Sequence, residues 1–311
     1  MARIAIDSAI GAGFGLIRHR PGAVLLWGVL YAALVALTVA LVGSYYFGFF
    51  HQIFAATQLG QEAGARFMST LWPQMMAVQG WTSLIRIAGL FVAAMLYCAA
   101  FRAILHPDEG RLAYLRVGMA ELMLFLLWFA AAIVFTIALV IYGLLVAAMV
   151  AALIALHATA AGVALAVLAA LAAVVVLIWL ALRFSMVGPM MVSDGKFHLF
   201  ESWTLTRGHA GVLFIMAVCL FVIILVVEMV IMGVALIAGG ASLASAAGGA
   251  ANLASFLGRP PAQIATAIAP MLVVAVVVLI PLTGCFVAVL GAPWARAYLD
   301  LTAPEPEPIA S

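Results

Sequence analysis

Long apolar blocks divided by short charged segments set the pattern of this chain. The longest, Leu122 to Ala181, contains no Asp, Glu, Lys or Arg. One membrane helix needs only about 20 apolar residues, so this block must cross a bilayer twice. The same reading along the chain predicts six spans, at 22–43, 81–105, 121–147, 161–187, 210–237 and 266–292. Each is long enough for a ~30 Å hydrocarbon core with some tilt. The fourth is expected to bend or end at Gly188-Pro189, and Pro281 predicts a kink within the sixth. The fold class read from this pattern is all-α: a polytopic helical membrane protein with about six transmembrane helices. It forms a single domain over 1–300 with a short disordered tail over 301–311.

Composition points the same way. Of 311 residues, 68% are hydrophobic and 8% charged, against roughly 25% charged in a soluble domain. A net charge of +2 gives no support to a nucleic-acid partner. Cys98, Cys219 and Cys285 lie in apolar runs without CxxC spacing and read as small buried hydrophobes. The N-terminus does not read as a cleavable signal, because Asp7 interrupts its apolar stretch and Arg18 and Arg20 follow it.

Lys and Arg set an expected orientation. Arg3, Arg18, Arg20, Arg102, Arg111, Arg116, Arg183, Lys196, Arg207 and Arg296, ten of the 13, fall at one set of span ends. The positive-inside rule then puts both termini in the cytoplasm. On the other side, residues 44–80 are expected to form a long aromatic loop opening with Tyr45, Tyr46 and Phe47, and 239–261 a small-residue loop.

The cytoplasmic segments resemble one another. "FGLIRHRPGAVL" from Phe14 and "WTLTRGHAGVLF" from Trp203 align without a gap, pairing Arg18 with Arg207 and Gly22 with Gly211. A third segment, "YLRVGMAELMLF" from Tyr114, keeps the aromatic start and little else. This suggests three repeated units, each a cytoplasmic amphipathic helix followed by two spans. The first such helix would place Ile6, Ile10, Phe14 and Ile17 in the interface.

The stretch "RFSMVGPMMVSDGK" followed by "ESWTLTRGHAGVLF" resembles the multi-span membrane domain of some bacterial glycerophosphodiester phosphodiesterases and related uncharacterised stand-alone membrane proteins. Arg183, Phe184, Pro189, Asp194, Gly195, Ser202, Trp203, Leu205, Thr206 and Gly208 carry it. The resemblance implies a helical domain of the bacterial inner membrane. It does not carry over phosphodiesterase activity, since the chain is expected to stop soon after the sixth span.

Among polar residues, Glu228 is the sharpest, an acid within "IILVVEMVIMG". Charge inside a span is costly and needs a partner or water. Depth along their helices nominates Arg86, so Glu228 and Arg86 are the candidate intramembrane pair, facing the bundle interior. Arg18, Arg20, Arg102, Arg183, Arg207 and Arg296 are candidate contacts to lipid headgroups. Glu121 reads as a helix N-terminal cap, and His157 marks the turn between the third and fourth spans. His198, His209 and Glu201 lack metal-ligand spacing, and "GAGFG" lacks the strand and final glycine of a nucleotide loop. No catalytic residue, metal or cofactor is expected. The function read from these features is a non-enzymatic scaffold or accessory protein binding membrane lipids or a membrane-protein partner. The alternative is a small-solute or lipid transporter.

Overall fold

A computed structural model describes residues 5–57, 61–248, 256, 259 and 261–303. They are helical nearly throughout, with no strand among them. The helices are α1 (Ile6–His19), α2 (Pro21–Thr57), α3 (Gln61–Leu105), α4 (Met119–Ala155), α5 (Thr159–Phe184), α6 (Val187–Asp194), α7 (Leu199–Leu205), α8 (Ala210–Ala247) and α9 (Pro261–Thr302), with a short 3-10 turn at Arg111–Tyr114. Among the described residues, six helices are long and apolar enough to cross a bilayer. The protein is an all-α, membrane-embedded polytopic protein.

Several helices outrun the spans that hydropathy marks. At 1.5 Å per residue α3 is about 68 Å long and α2 about 56 Å, against a core of ~30 Å. The expected loop at 44–80 is therefore corrected: helix continues to Thr57 and resumes at Gln61, and residues 58–60 lie outside the described set. Likewise α8 runs on to Ala247 through the small-residue stretch, of which 249–255, 257, 258 and 260 lie outside the described set. Alanine is the strongest helix former, so a stretch too polar for lipid still winds as helix. Most of the expected tail, 304–311, is also outside the described residues; 301–302 complete α9.

Proline and glycine punctuate the chain as their chemistry requires. Pro21 opens α2, where a missing N–H costs nothing. The break after α5 falls at Ser185–Met186, and Pro189 sits in the first turn of α6. Gly195 ends α6 at φ +72°, its N–H donating to the Met191 carbonyl at 3.0 Å, as a left-handed C-terminal cap does. Gly208 takes φ +88° in the turn before α8. Helix α9 continues through Pro281.

The chain divides into two compact units: unit one is Met1–Ala12, Ala94–Val218 and Gly291–Ser311, and unit two is Gly13–Ala93 and Cys219–Leu290. Unit two is held by backbone contact. A Cβ on Gly28 of α2 would lie 1.7 Å from the Ile280 carbonyl oxygen, and one on Gly284 of α9 would lie 2.0 Å from that of Val24. Lipid offers no hydrophobic drive between helices, so close approach at small residues supplies the packing. Gly13 of α1 meets the Val289 backbone in the same way.

Unit one has a side-chain core. Ala94, Cys98 and Phe101 of α3 pack with Leu124 of α4, Val187, Met191 and Val192 of α6 and Ala295 of α9. The Phe101 ring lies over Gly188, where a Cβ would meet it at 2.6 Å. Trp128 sits edge-on to Tyr97, with ring centroids 5.5 Å apart. Away from this core, α4 and α5 form a hairpin whose turn holds His157 at φ +59°. The Tyr142 hydroxyl donates to the Ala169 carbonyl across it.

The offset that pairs Phe14 with Trp203 also pairs Pro21 with Ala210, the first residues of α2 and α8. It pairs buried Val24 with buried Leu213, and buried Trp27 with buried Met216. The preceding helices differ: α1 has 14 residues and α7 has 7. The face expected for α1 shifts as well, since Ala9, Gly13 and Leu16 are buried and Phe14 is exposed.

Candidate functional site

The polar chemistry of unit one gathers where α3, α5 and α6 end and α4 and α7 begin. Its centre is a buried ion pair. Glu121, in the first turn of α4, is fully buried, and Arg102, in the last turn of α3, is 5% exposed. Arg102 Nη2 donates to Glu121 Oε1. The other carboxylate oxygen accepts the Gly118 backbone N–H at 3.0 Å, capping α4. Arg102 Nη1 donates to the Tyr114 carbonyl at 3.1 Å. Each charge thus meets its counter-charge and a backbone group, the condition under which burial of a pair is tolerated.

The loop around the pair is strained. Leu112, Ala113 and Tyr114 have φ of 49°, 55° and 63°. A left-handed turn costs non-glycine residues roughly 1–2 kcal/mol each. The Tyr114 hydroxyl donates to the Pro107 carbonyl at 3.0 Å, so the turn is pinned from both its carbonyl and its ring.

A second constellation surrounds Arg183, in the last turn of α5. Its guanidinium carbon lies 5.7 Å from the Trp179 ring centroid and 5.4 Å from that of Trp203 on α7. The two indoles meet edge to face at 5.0 Å, and Phe184 packs against Trp203 at 5.8 Å. Helix α7 is fastened to the end of α5 by a hydroxyl, Ser202 Oγ donating to the Arg183 carbonyl at 2.9 Å; buried Thr206 donates back to the Ser202 carbonyl at 2.9 Å at the end of α7. A third cluster crosses the α6–α7 turn, where His198 Nε2 faces Asp194 and Nδ1 faces Glu201. Asp194 also accepts the Lys196 N–H at 3.0 Å.

The sequence-nominated residues fare unequally. Arg18, Arg20 and Arg207 are exposed. Arg296 is exposed and pairs with Asp300 one turn on, at 3.3 Å. Arg102 is a correction: it is not free for headgroups, because Glu121 and the Tyr114 carbonyl consume it. The Glu228–Arg86 pair is a second correction. Both residues are exposed, and no ion pair joins them among the described residues. The reason is rotational phase. The inward side of α8 runs through Leu213, Met216, Leu220, Ile224 and Val227, with Glu228 beside it; on α3, Ile85 and Gly89 turn inward and Arg86 outward.

Glu121 caps its helix as expected, but its bond to Arg102 was not anticipated. One signal was available: both residues stand at the same ends of consecutive spans, joined by a short segment. His209 joins neither His198 nor Glu201, and no group of His, Cys, Asp and Glu among the described residues is arranged to hold a metal. No protein-family model, curated protein or solved structure matches the chain.

Proposed function

We propose that this protein is a non-enzymatic scaffold or accessory protein of the bacterial inner membrane, with both termini cytoplasmic, that binds anionic lipid or a membrane-protein partner at its arginine-rich span ends. One observation carries the reading. The four polar residues buried as a whole among those described, Arg102, Glu121, Ser202 and Thr206, are bound to one another or to backbone; buried polar atoms without a partner are confined to the partly exposed Arg183, His209 and Asp300 among the described residues. Groups spent on holding helix ends are unsuited to passing a proton or turning over a substrate. Arg18, Arg20 and Arg207 meanwhile stand at the surface, where anionic headgroups attract Lys and Arg by about 1 kcal/mol each. The resemblance to phosphodiesterase membrane domains fits an accessory role and supplies no reaction.

Lipid analysis tests the binding reading. Protein extracted with its surrounding bilayer into native nanodiscs should be enriched in anionic phospholipid relative to the bulk membrane. A composition equal to the bulk would refute it. Orientation has its own test. In intact cells, a membrane-impermeant thiol reagent should label a cysteine at Gln61 or Ala246 and spare one at Gly195, and labelling at Gly195 would reverse the topology.

A further inference from the structure

Among the described residues no carboxylate pairs with Arg183. Arg102 meets Glu121, Arg116 meets Glu109 and Arg296 meets Asp300. The carboxylates of Asp194 and Glu201 are turned to His198. Arg183 Nε and Nη1 are buried, yet neither has a hydrogen-bond partner. Buried guanidinium N–H groups left unbonded cost stability, so such a group calls for a ligand or a reason. The backbone carbonyl of Arg183 is already taken by the Ser202 hydroxyl.

The aromatic neighbours say what kind of ligand fits. Trp179 and Trp203 hold the guanidinium within the ~6 Å over which ring faces attract a cation. The two rings hold the guanidinium in place, and its Nε and Nη1 N–H groups are left without a protein acceptor. A planar, permanently charged fork matches the tetrahedral oxygens of phosphate better than a point charge does. Trp179 is 43% exposed, and Phe200, one turn before Trp203 on α7, is 81% exposed. Exposed aromatic rings of this kind collect at headgroup depth.

We propose that Arg183, clamped on Trp179 and Trp203, is a binding site for a phosphate oxyanion, supplied by an anionic lipid headgroup. The inference rests on the lipid-binding reading above and narrows it to one residue. Arg18, Arg20 and Arg207 then act as a diffuse positive surface, and Arg183 as the specific contact.

The test is native mass spectrometry of the full chain in detergent, titrated with phosphatidylglycerol, phosphatidylcholine or inorganic phosphate. Wild type should retain phosphatidylglycerol over phosphatidylcholine. Arg183→Gln should weaken that retention about tenfold, the effect of losing a charged hydrogen bond. Arg183→Lys, which keeps the charge and the fold but loses the planar fork, should fall between. Arg86→Gln, the same charge change at an exposed residue with no ion pair among the described residues, should match wild type. Displacement of the lipid by millimolar inorganic phosphate would support the phosphate site but assign it to soluble phosphate; no displacement assigns it to lipid. Equal retention by wild type, Arg183→Gln and Arg183→Lys would overturn the site and leave the broader reading standing. No preference for phosphatidylglycerol in wild type would overturn both.

Discussion

Gly28→Ala should lower stability by about 3 kcal/mol or more, the upper range of overpacking. The added methyl would need the place of the Ile280 carbonyl oxygen, only 1.7 Å away. That oxygen is backbone in the middle of α9, so no rotamer change can relieve the clash and α2 and α9 must separate. Gly284→Ala should act alike, since its Cβ would lie 2.0 Å from the Val24 carbonyl oxygen. Gly22→Ala, on the same helix with nothing within 4 Å, is the control. It should be neutral or stabilising by up to ~1 kcal/mol, the propensity gain of alanine over glycine. Thermal unfolding in detergent checks all three. A Gly28→Ala midpoint equal to that of Gly22→Ala would mean that the helices do not cross this closely.

Glu121→Leu should be as damaging. It leaves the Arg102 guanidinium in a buried site with its counter-charge gone, a loss of about 3–5 kcal/mol. It also leaves the Gly118 N–H without its cap, worth a further ~1 kcal/mol. Glu121→Gln should be milder, because the amide oxygen can still accept from one of the two donors. The strained turn at Leu112–Tyr114 should loosen along with Arg102, since Arg102 Nη1 holds the Tyr114 carbonyl. Hydrogen exchange over residues 107–118 reports that loosening: faster exchange in Glu121→Leu is expected, and unchanged exchange would separate the turn from the pair.

Much of this fold is legible in the residues because lipid simplifies the problem. Blocks such as Leu122–Ala181 cannot be anything but spanning helices, and the turn at His157 divides that block where the sequence reading put it. Pro21, Gly195 and Gly208 mark helix ends through their own backbone chemistry. Helix length was less legible. Hydropathy reports where lipid stops, whereas helix runs past those points, at least to Thr57 in α2 and to Ala247 in α8. The polar residues were the hardest. Rise per residue gives the depth of Glu228 and Arg86, but it says nothing of which face either occupies, and both turn outward. Depth and charge together do place Arg102 beside Glu121. That reading was missed because a basic residue at a span end looks like a headgroup contact whether it is buried or not. The clamp on Arg183 needs Trp203, twenty residues away on a separate short helix, and no local pattern brings the two together.

Arg102, Glu121, Ser202 and Thr206 of unit one hold helix ends in place, and Arg183 and the surface arginines are left to meet lipid. The coupling energy between Arg102 and Glu121 tests the structural role most directly. It comes from the stabilities of wild type, Arg102→Leu, Glu121→Leu and the double variant. If the pair is structural, each single change strands a buried charge, and the double variant, with both charges removed, is more stable than either single one. Strictly additive losses would contradict this: the two residues would not meet, and the polar interior would be open to a part in transport.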